Sequence, residues 1–181
     1  MGLLSATSED RWTVVRICIA ALHAMAGTLF LVRRCVTRGG SATQIFSAMP
    51  AVVLSGLAFS YAQSPSQWSR ISNGLFVAGT AIAVVAFFSL SRNFSVLPAV
   101  RGLTTGGLYR VVRHPAYTGE LLLVFACALS RFDLTSCGLF AVCVTSIAYR
   151  INVEERLLGS IHDSYAVYKQ RVRYRLVPWV W

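Results

Sequence analysis

Residues 121–148 read LLLVFACALSRFDLTSCGLFAVCVTSIA, an apolar stretch broken once, at Arg131-Phe132-Asp133. As one helix it would exceed the ~20 residues that suit a bilayer core about 30 Å thick. As a hairpin turning at the charged triplet it makes two short crossings. The basic residues decide between these. Arg33, Arg34 and Arg38 follow a first apolar run, Thr13–Val32. Arg92, Arg101, Arg110 and Arg113 follow a third, Ile71–Leu90. Arg150, Arg156, Lys169, Arg171, Arg173 and Arg175 follow the quoted stretch. These 13 of the 17 basic residues belong on one side, the cytoplasmic one. For the loop after the third run and the tail to share that side, an even number of crossings must separate them, so the triplet is a hairpin turn.

With Ile45–Tyr61 as the second run, and Pro50 near its beginning where a helix tolerates it, the expectation is an all-α integral membrane protein of five transmembrane helices. Its N-terminus would lie outside and its C-terminus inside. Arg16 alone interrupts the first run, and the glycines and alanines of the third allow close helix approach. From Glu154 to Val177 the chain is mostly polar, with Leu157, Leu158, Ile161, Tyr165 and Tyr168 three or four apart. That spacing predicts one amphipathic cytoplasmic helix on the protein or membrane surface.

Composition agrees. Of 181 residues, 55% are hydrophobic and 13% charged, so many apolar side chains must face lipid. The length suits a single domain, with N-terminal spans over 1–70 and a chemical half over 88–181. The net charge of +10 falls between apolar runs, which fits anionic headgroups and speaks against nucleic acid, whose binders carry a soluble basic face. Cys18, Cys35, Cys127, Cys137 and Cys143 form no CxxC pair and no cluster with histidine, so packing is their reading and no metal is expected. The stretch Met1 to Asp10 is acidic, unlike a cleaved signal peptide, and Ala6 fails the myristoylation pattern.

Two segments carry chemistry, and both are predicted on the same face. In the segment 104–119, Thr104-Thr105-Gly106-Gly107 is a tight turn that lets a ligand approach backbone N–H groups. Pro115, after His114, reads as the first residue of a helix, whose unpaired N–H groups favour an anion. The second segment is Arg150-Ile151-Asn152-Val153-Glu154-Glu155, where the last span leaves the membrane. Each feature has a plainer reading alone: arginines snorkel, paired glutamates offset a helix dipole, and interfacial tyrosines anchor. His23 and His162 read as structural. Glu120, an acid at the start of a span, faces either a site or water.

Their order is what distinguishes them. Asn93-Phe94-Ser95, Thr105-Gly106-Gly107-Leu108-Tyr109, Arg113-His114-Pro115-Ala116-Tyr117-Thr118-Gly119, Glu154-Glu155-Arg156-Leu157-Leu158, Tyr165-Ala166-Val167-Tyr168 and Arg171-Val172 together resemble the isoprenylcysteine carboxyl methyltransferase family, of which the phospholipid methyltransferases are more distant relatives. The resemblance spans about residues 88–181. It implies S-adenosylmethionine as cofactor, lined by Leu103, Thr104, Tyr109, His114, Pro115, Ala116 and Tyr117 and held by Glu154. It places Arg150 against the substrate, with Glu120 near the substrate entrance. Departures occur where the family's Phe-Gly becomes His162-Asp163, and where its Arg-Val-Pro becomes Arg171-Val172-Arg173.

Chemically, methyl transfer from a sulfonium is an in-line displacement that gains from alignment and exclusion of water. Tyrosine faces such as Tyr109 or Tyr117 attract the sulfonium. The catalytic candidates are Arg150, Glu155 and Arg113. If the acceptor is a carboxylate it needs no base, and Arg150 orients it. If it is an amine, His114, Glu155 or Glu120 must take a proton. The expected partners are a lipophilic or prenylated substrate and membrane lipids, the expected reaction is O-methylation of a prenylcysteine-like carboxylate, and the expected location is a bacterial inner membrane. N-methylation of an amine-bearing lipid is the second enzyme reading. A non-catalytic membrane scaffold or small transporter is the rival.

Overall fold

Asp133 divides the quoted stretch. The computed structural model describes residues 8–32, 38–39, 53–93, 99–100 and 103–181. In it, helix α4 (Pro115–Ser130) ends before the charged triplet and helix α5 (Leu134–Gly159) begins after it. The Asp133 side chain accepts the Ser136 N–H at 2.7 Å, an N-cap that satisfies one free donor of α5. The two helices run antiparallel: Tyr117 and Leu121 near the start of α4 meet Ile147 and Ile151 late in α5, while Val124 meets Cys143. The expected hairpin is therefore present, and Pro115 takes the first helical position.

The other helices pack around this pair. Helix α1 covers Ser8–Val32, helix α2 covers 53–61 and helix α3 covers Arg70–Leu90. Helix α3 lies against α4 with the backbones nearly touching. A Cβ on Gly119 would stand 2.7 Å from Gly79 O and 2.8 Å from Ala83 N, so only glycine permits the approach. Val15 and Cys18 of α1 join Trp68, Phe76, Ala126 and Cys127 in one core, and the Trp68 indole is satisfied by Gln63 O at 2.7 Å. Ala58 and Leu54 of α2 pack on Val124, Phe140 and Cys143. Cys18, Cys127 and Cys143 are buried, in line with a packing role, whereas Cys137 is exposed.

Among the described residues three helices, α1, α3 and α5, are long and apolar enough to cross a membrane, and α4 is apolar but shorter. Much of the expected second run, including Pro50, lies outside the described residues, as do Arg33, Arg34, Cys35, Phe94, Ser95 and Arg101. The polar stretch 91–114 holds short 3-10 turns at Ser91–Asn93 and Gly107–Arg110, and Ala99–Val100 (β2) pairs antiparallel with Arg38–Gly39 (β1).

The tail departs from expectation. The amphipathic spacing over 154–177 is not one helix. Helix α5 continues to Gly159, the chain turns, and helix α6 covers only Ser164–Arg171. Gly159, a poor helix former, ends the helix where the chain folds back and Tyr165 packs beside it. The turn lets Tyr165, Tyr168 and Val172 pack on Leu158 and Leu103. A continuous helix would carry them away from those partners. Beyond α6 the chain is non-helical and straps across the start of α4.

Candidate functional site

The site forms where α3 and α5 end and α4 begins. Gly107 has φ +57°, and a Cβ there would collide with Ser89 Oγ, so this turn requires glycine. The turn directs Tyr109 inward, where it is buried, and Tyr168 Oη donates to Tyr109 O at 2.7 Å. Burial pushes the Tyr109 phenol well above its ordinary value, with the nearby charge of Glu154 adding to it. Burial likewise pushes Tyr168 up to about 12, with Arg113 opposing. Both phenols therefore keep their protons at neutral pH.

Arg113 and His114 follow the turn and are buried. Arg113 Nε donates to Glu155 Oε1 at 2.8 Å, and its Nη1 donates to Val172 O and Arg173 O, both at 2.9 Å. His114 Nε2 lies 3.3 Å from Glu155 Oε1 and its Nδ1 3.8 Å from Glu154 Oε2. Arg175 Nη2 reaches Glu155 Oε2 at 3.0 Å, and Lys169 Nζ stands 3.9 Å from the same atom. Glu155 is thus ringed by cations, as a buried carboxylate must be.

Glu154 differs. It is one residue earlier, so α5 turns it toward α4 with Arg150 one turn before it on the same face. Tyr117 Oη donates to Glu154 Oε1, and Arg150 Nε is 3.7 Å from the same oxygen. The Arg150 guanidinium also lies over the Tyr117 ring, 5.1 Å from its centroid. The Tyr117 and His114 rings are themselves stacked, 5.7 Å apart. Arg150 is 4% exposed, while the Glu154 side chain keeps 23% exposure. Of the two carboxylates, Glu154 faces the open side.

So Arg113, His114, Tyr117, Arg150, Glu154 and Glu155 meet directly, although some forty residues separate the two segments. Pro115 is buried at the start of α4, with Ala116 beside it half-buried. Leu103 packs on the α6 tyrosines, and Thr104 Oγ1 accepts from Asn93 Nδ2 at 3.1 Å. Glu120 lies a turn deeper in α4 than Ala116, and its Oε1 accepts from Ser55 Oγ of α2 at 2.7 Å.

The anion site expected at the start of α4 is altered. Arg113 N and His114 N donate to Tyr174 O and Arg175 O, each at 2.9 Å, and Thr118 Oγ1 donates to Leu176 O at 2.8 Å. The tail takes the N–H groups just ahead of Pro115 and the Thr118 hydroxyl, while Tyr117 N and Thr118 N bond back to His114 O. The sequence reading missed Ser55, Lys169, Thr118 and this strap. A usable signal was present in the tail itself: a paired carboxylate at an apolar boundary needs cations, and Lys169, Arg171, Arg173 and Arg175 are nearby in the chain.

The model of the phospholipid methyltransferase family matches residues 68–164, more than half of the chain. The matched span begins just before α3, takes in the glycine turn, the His114-Pro115 start of α4 and the whole of α5, and ends at the first residue of α6. No curated protein matches the chain. The match is consistent with the resemblance of the motifs to the isoprenylcysteine and phospholipid methyltransferases. A helical bundle with membrane-length helices and these motifs gathered at one end is consistent with it, and the chain belongs to the phospholipid methyltransferase family, which makes it a membrane methyltransferase.

Proposed function

We propose that the protein transfers a methyl group from S-adenosylmethionine to a lipophilic acceptor held in the membrane, a prenylcysteine-like carboxylate in the first reading. The observation that carries this is the meeting of His114 and Tyr117 with Glu154 beside buried Arg150, at one end of the bundle. The residues suit the cofactor. Glu154 offers a partly open carboxylate for an ammonium or ribose hydroxyl, and the stacked rings of His114 and Tyr117 offer faces to a sulfonium. A Cβ on Gly106 would meet nothing within 4 Å, so space remains at the turn. When bound, the cofactor supplies the electrophilic methyl.

The chain's own groups then have distinct tasks. Arg150 orients an acceptor carboxylate by charge-assisted hydrogen bonds. Tyr117 and His114 hold Glu154 in place. Arg113 and Glu155, with Arg175, fix the tail over the start of α4 and exclude water, a structural share in catalysis. In topology we read five spans, α1 to α5, with the site and the tail at the cytoplasmic face. The acceptor would enter sideways from lipid and the cofactor from water.

A second reading, N-methylation of an amine-bearing lipid, draws on Glu120 and on the family's description. Glu120 is held by Ser55 in the apolar part of the bundle, where a carboxylate is costly unless it serves a purpose. It could take the proton that an amine must lose.

The test is S-adenosylhomocysteine binding to the detergent-purified chain. A ligand at a hundred times its Kd stabilises by about 2.7 kcal/mol, several degrees of melting temperature. We expect the shift in wild type and its loss in Glu154→Ala. No shift at saturating ligand would overturn the reading. Arg150→Ala against Glu120→Gln then separates the acceptors: a carboxylate acceptor suffers chiefly from the first and an amine from the second.

A further inference from the structure

The chain after α6 closes on itself. Arg175 N and Leu176 N donate to Trp181 O at 2.8 and 3.0 Å, and Val180 N and Trp181 N donate to Val177 O, both at 3.2 Å. Trp179 has φ 63°, a left-handed conformation that a bulky residue keeps only where its surroundings hold it. The loop is therefore built, and what it displays is apolar. Trp179 is 86% and Val180 78% exposed, and Val177 is exposed as well. An apolar patch on an ordered loop marks a surface of interaction. Its depth follows from the residue in front of it. Leu176 packs on Ile147 and Ile151, with Tyr117 and Leu121 beside them, and Leu176 O accepts from Thr118 Oγ1 at 2.8 Å. Ile147 and Ile151 bracket Arg150, where the membrane-length α5 passes from apolar to charged sequence. That is the level at which a spanning helix leaves hydrocarbon for headgroups. A loop held there and open on its outer side meets the headgroup layer, which favours tryptophan.

Charge narrows the partner. Arg113, Lys169 and Arg175 are drawn to Glu155, whereas Arg171 and Arg173 are exposed and enter no ion pair among the described residues. Two free cations beside an apolar loop match an anionic headgroup above its acyl chains. We propose that the 177–180 loop docks into the headgroup layer of anionic lipid, with Trp179 and Val180 at the acyl boundary and Arg171 and Arg173 on the headgroup phosphates. The docked loop steadies the strap over the start of α4. The Arg175 guanidinium lies over the Trp181 ring, 5.0 Å from its centroid, and its Nη2 reaches Glu155 Oε2 at 3.0 Å. One arginine thus joins the lipid-facing loop to the buried carboxylate. The inference concerns the bilayer and not the methyl donor, so it stands or falls apart from the cofactor reading.

The test reads tryptophan fluorescence of the full-length protein in phosphatidylcholine vesicles that carry either brominated phosphatidylcholine or brominated phosphatidylglycerol at equal mole fraction. The Trp179 signal is the difference between wild type and Trp179→Phe, a change at an exposed ring that leaves the bundle in place. The expected result is quenching of that signal by lipid brominated near the headgroup, and far less by acrylamide in the water. Phosphatidylglycerol should quench about two- to fivefold more efficiently than phosphatidylcholine. Arg171→Gln combined with Arg173→Gln should remove that preference. Stronger quenching by acrylamide than by lipid would put the loop in water and overturn the inference. Protection from both quenchers would also overturn it, leaving a second copy or another protein as the cover. Lipid quenching without a phosphatidylglycerol preference, or with one that survives the loss of both arginines, would overturn the assignment to anionic lipid.

Discussion

The two ends of the α4–α5 hairpin use the same residue types to opposite effect. At the turn, Arg131 and Asp133 pair at 3.2 Å with side chains 47% and 39% exposed. The Arg131 guanidinium lies 4.4 Å from the centroid of the Tyr61 ring, and Tyr61 Oη donates to Asp133 at 3.1 Å. At the other end, Arg113 and Glu155 pair at 2.8 Å with side chains 8% and 5% exposed. Water screens the first pair and contributes little to holding the second. The turn pair is local, two residues apart, and its task is to end one helix and cap the next. The site pair joins chain segments 42 residues apart, so its loss would loosen α4, α5 and the tail together. Burial, rather than the presence of a salt bridge, makes one end structural punctuation and the other a site.

The strongest way to break this comparison is Glu155→Ala. It leaves Arg113, and His114 beside it, buried without their carboxylate. Breaking a buried pair in this way costs about 3–5 kcal/mol, read as a large fall in melting temperature in detergent. Arg131→Ala, at the exposed end, should leave the melting temperature unresolvably changed. Equal losses at the two ends would mean that burial does not distinguish them.

A middle case sharpens it. Gly119 lies on α4 between the ends and carries no charge, yet a Cβ there would stand within 2.9 Å of Gly79 O, Ala83 N and Ala83 Cβ. Gly119→Ala must push α3 and α4 apart, at about 1–3 kcal/mol. The expected loss is smaller than that of Glu155→Ala and larger than anything at the turn. A Gly119→Ala protein as stable as wild type would show that the α3–α4 contact has slack, and the precision of the site could not then be credited to it.

The same contrast explains what could be read from the sequence. The hairpin was legible because Arg131-Phe132-Asp133 interrupts an apolar run and its cap is local. Pro115 as a helix start was legible for the same reason. The small-residue approach of α3 was legible in kind, though its partner Gly119 was not. The meeting of His114 with Glu154 came from motif order, since no periodicity relates residues forty apart. The tail's cations hinted at a partner for the paired carboxylates, as Arg175 on Glu155 bears out, but the strap's hold on Arg113 and His114 was not legible, because it is made through backbone carbonyls, which leave no trace in side-chain identity. The single helix expected over 154–177 failed because a spacing of three or four continues across Gly159, while the chain folds back to bury Tyr165 and Tyr168.

The smallest expected effect tests the exposed end by pH. The Ser136 N–H, and then Tyr61 and Arg131, hold the Asp133 carboxyl below its ordinary value. Asp133→Asn keeps an oxygen that can accept the Ser136 N–H, since asparagine caps about as well as aspartate, and removes only the ionisation. A carboxylate with a lowered folded value contributes stability that is complete above its ordinary value and is lost as pH falls through the lowered one. The variant should therefore melt slightly below wild type at neutral pH, and the two curves should converge as the solution is acidified. A deficit that persists in acid would mean that cap geometry, not charge, was lost. A deficit as large as that of Glu155→Ala would mean that the turn, despite its exposure, organises the hairpin as strongly as the buried pair does.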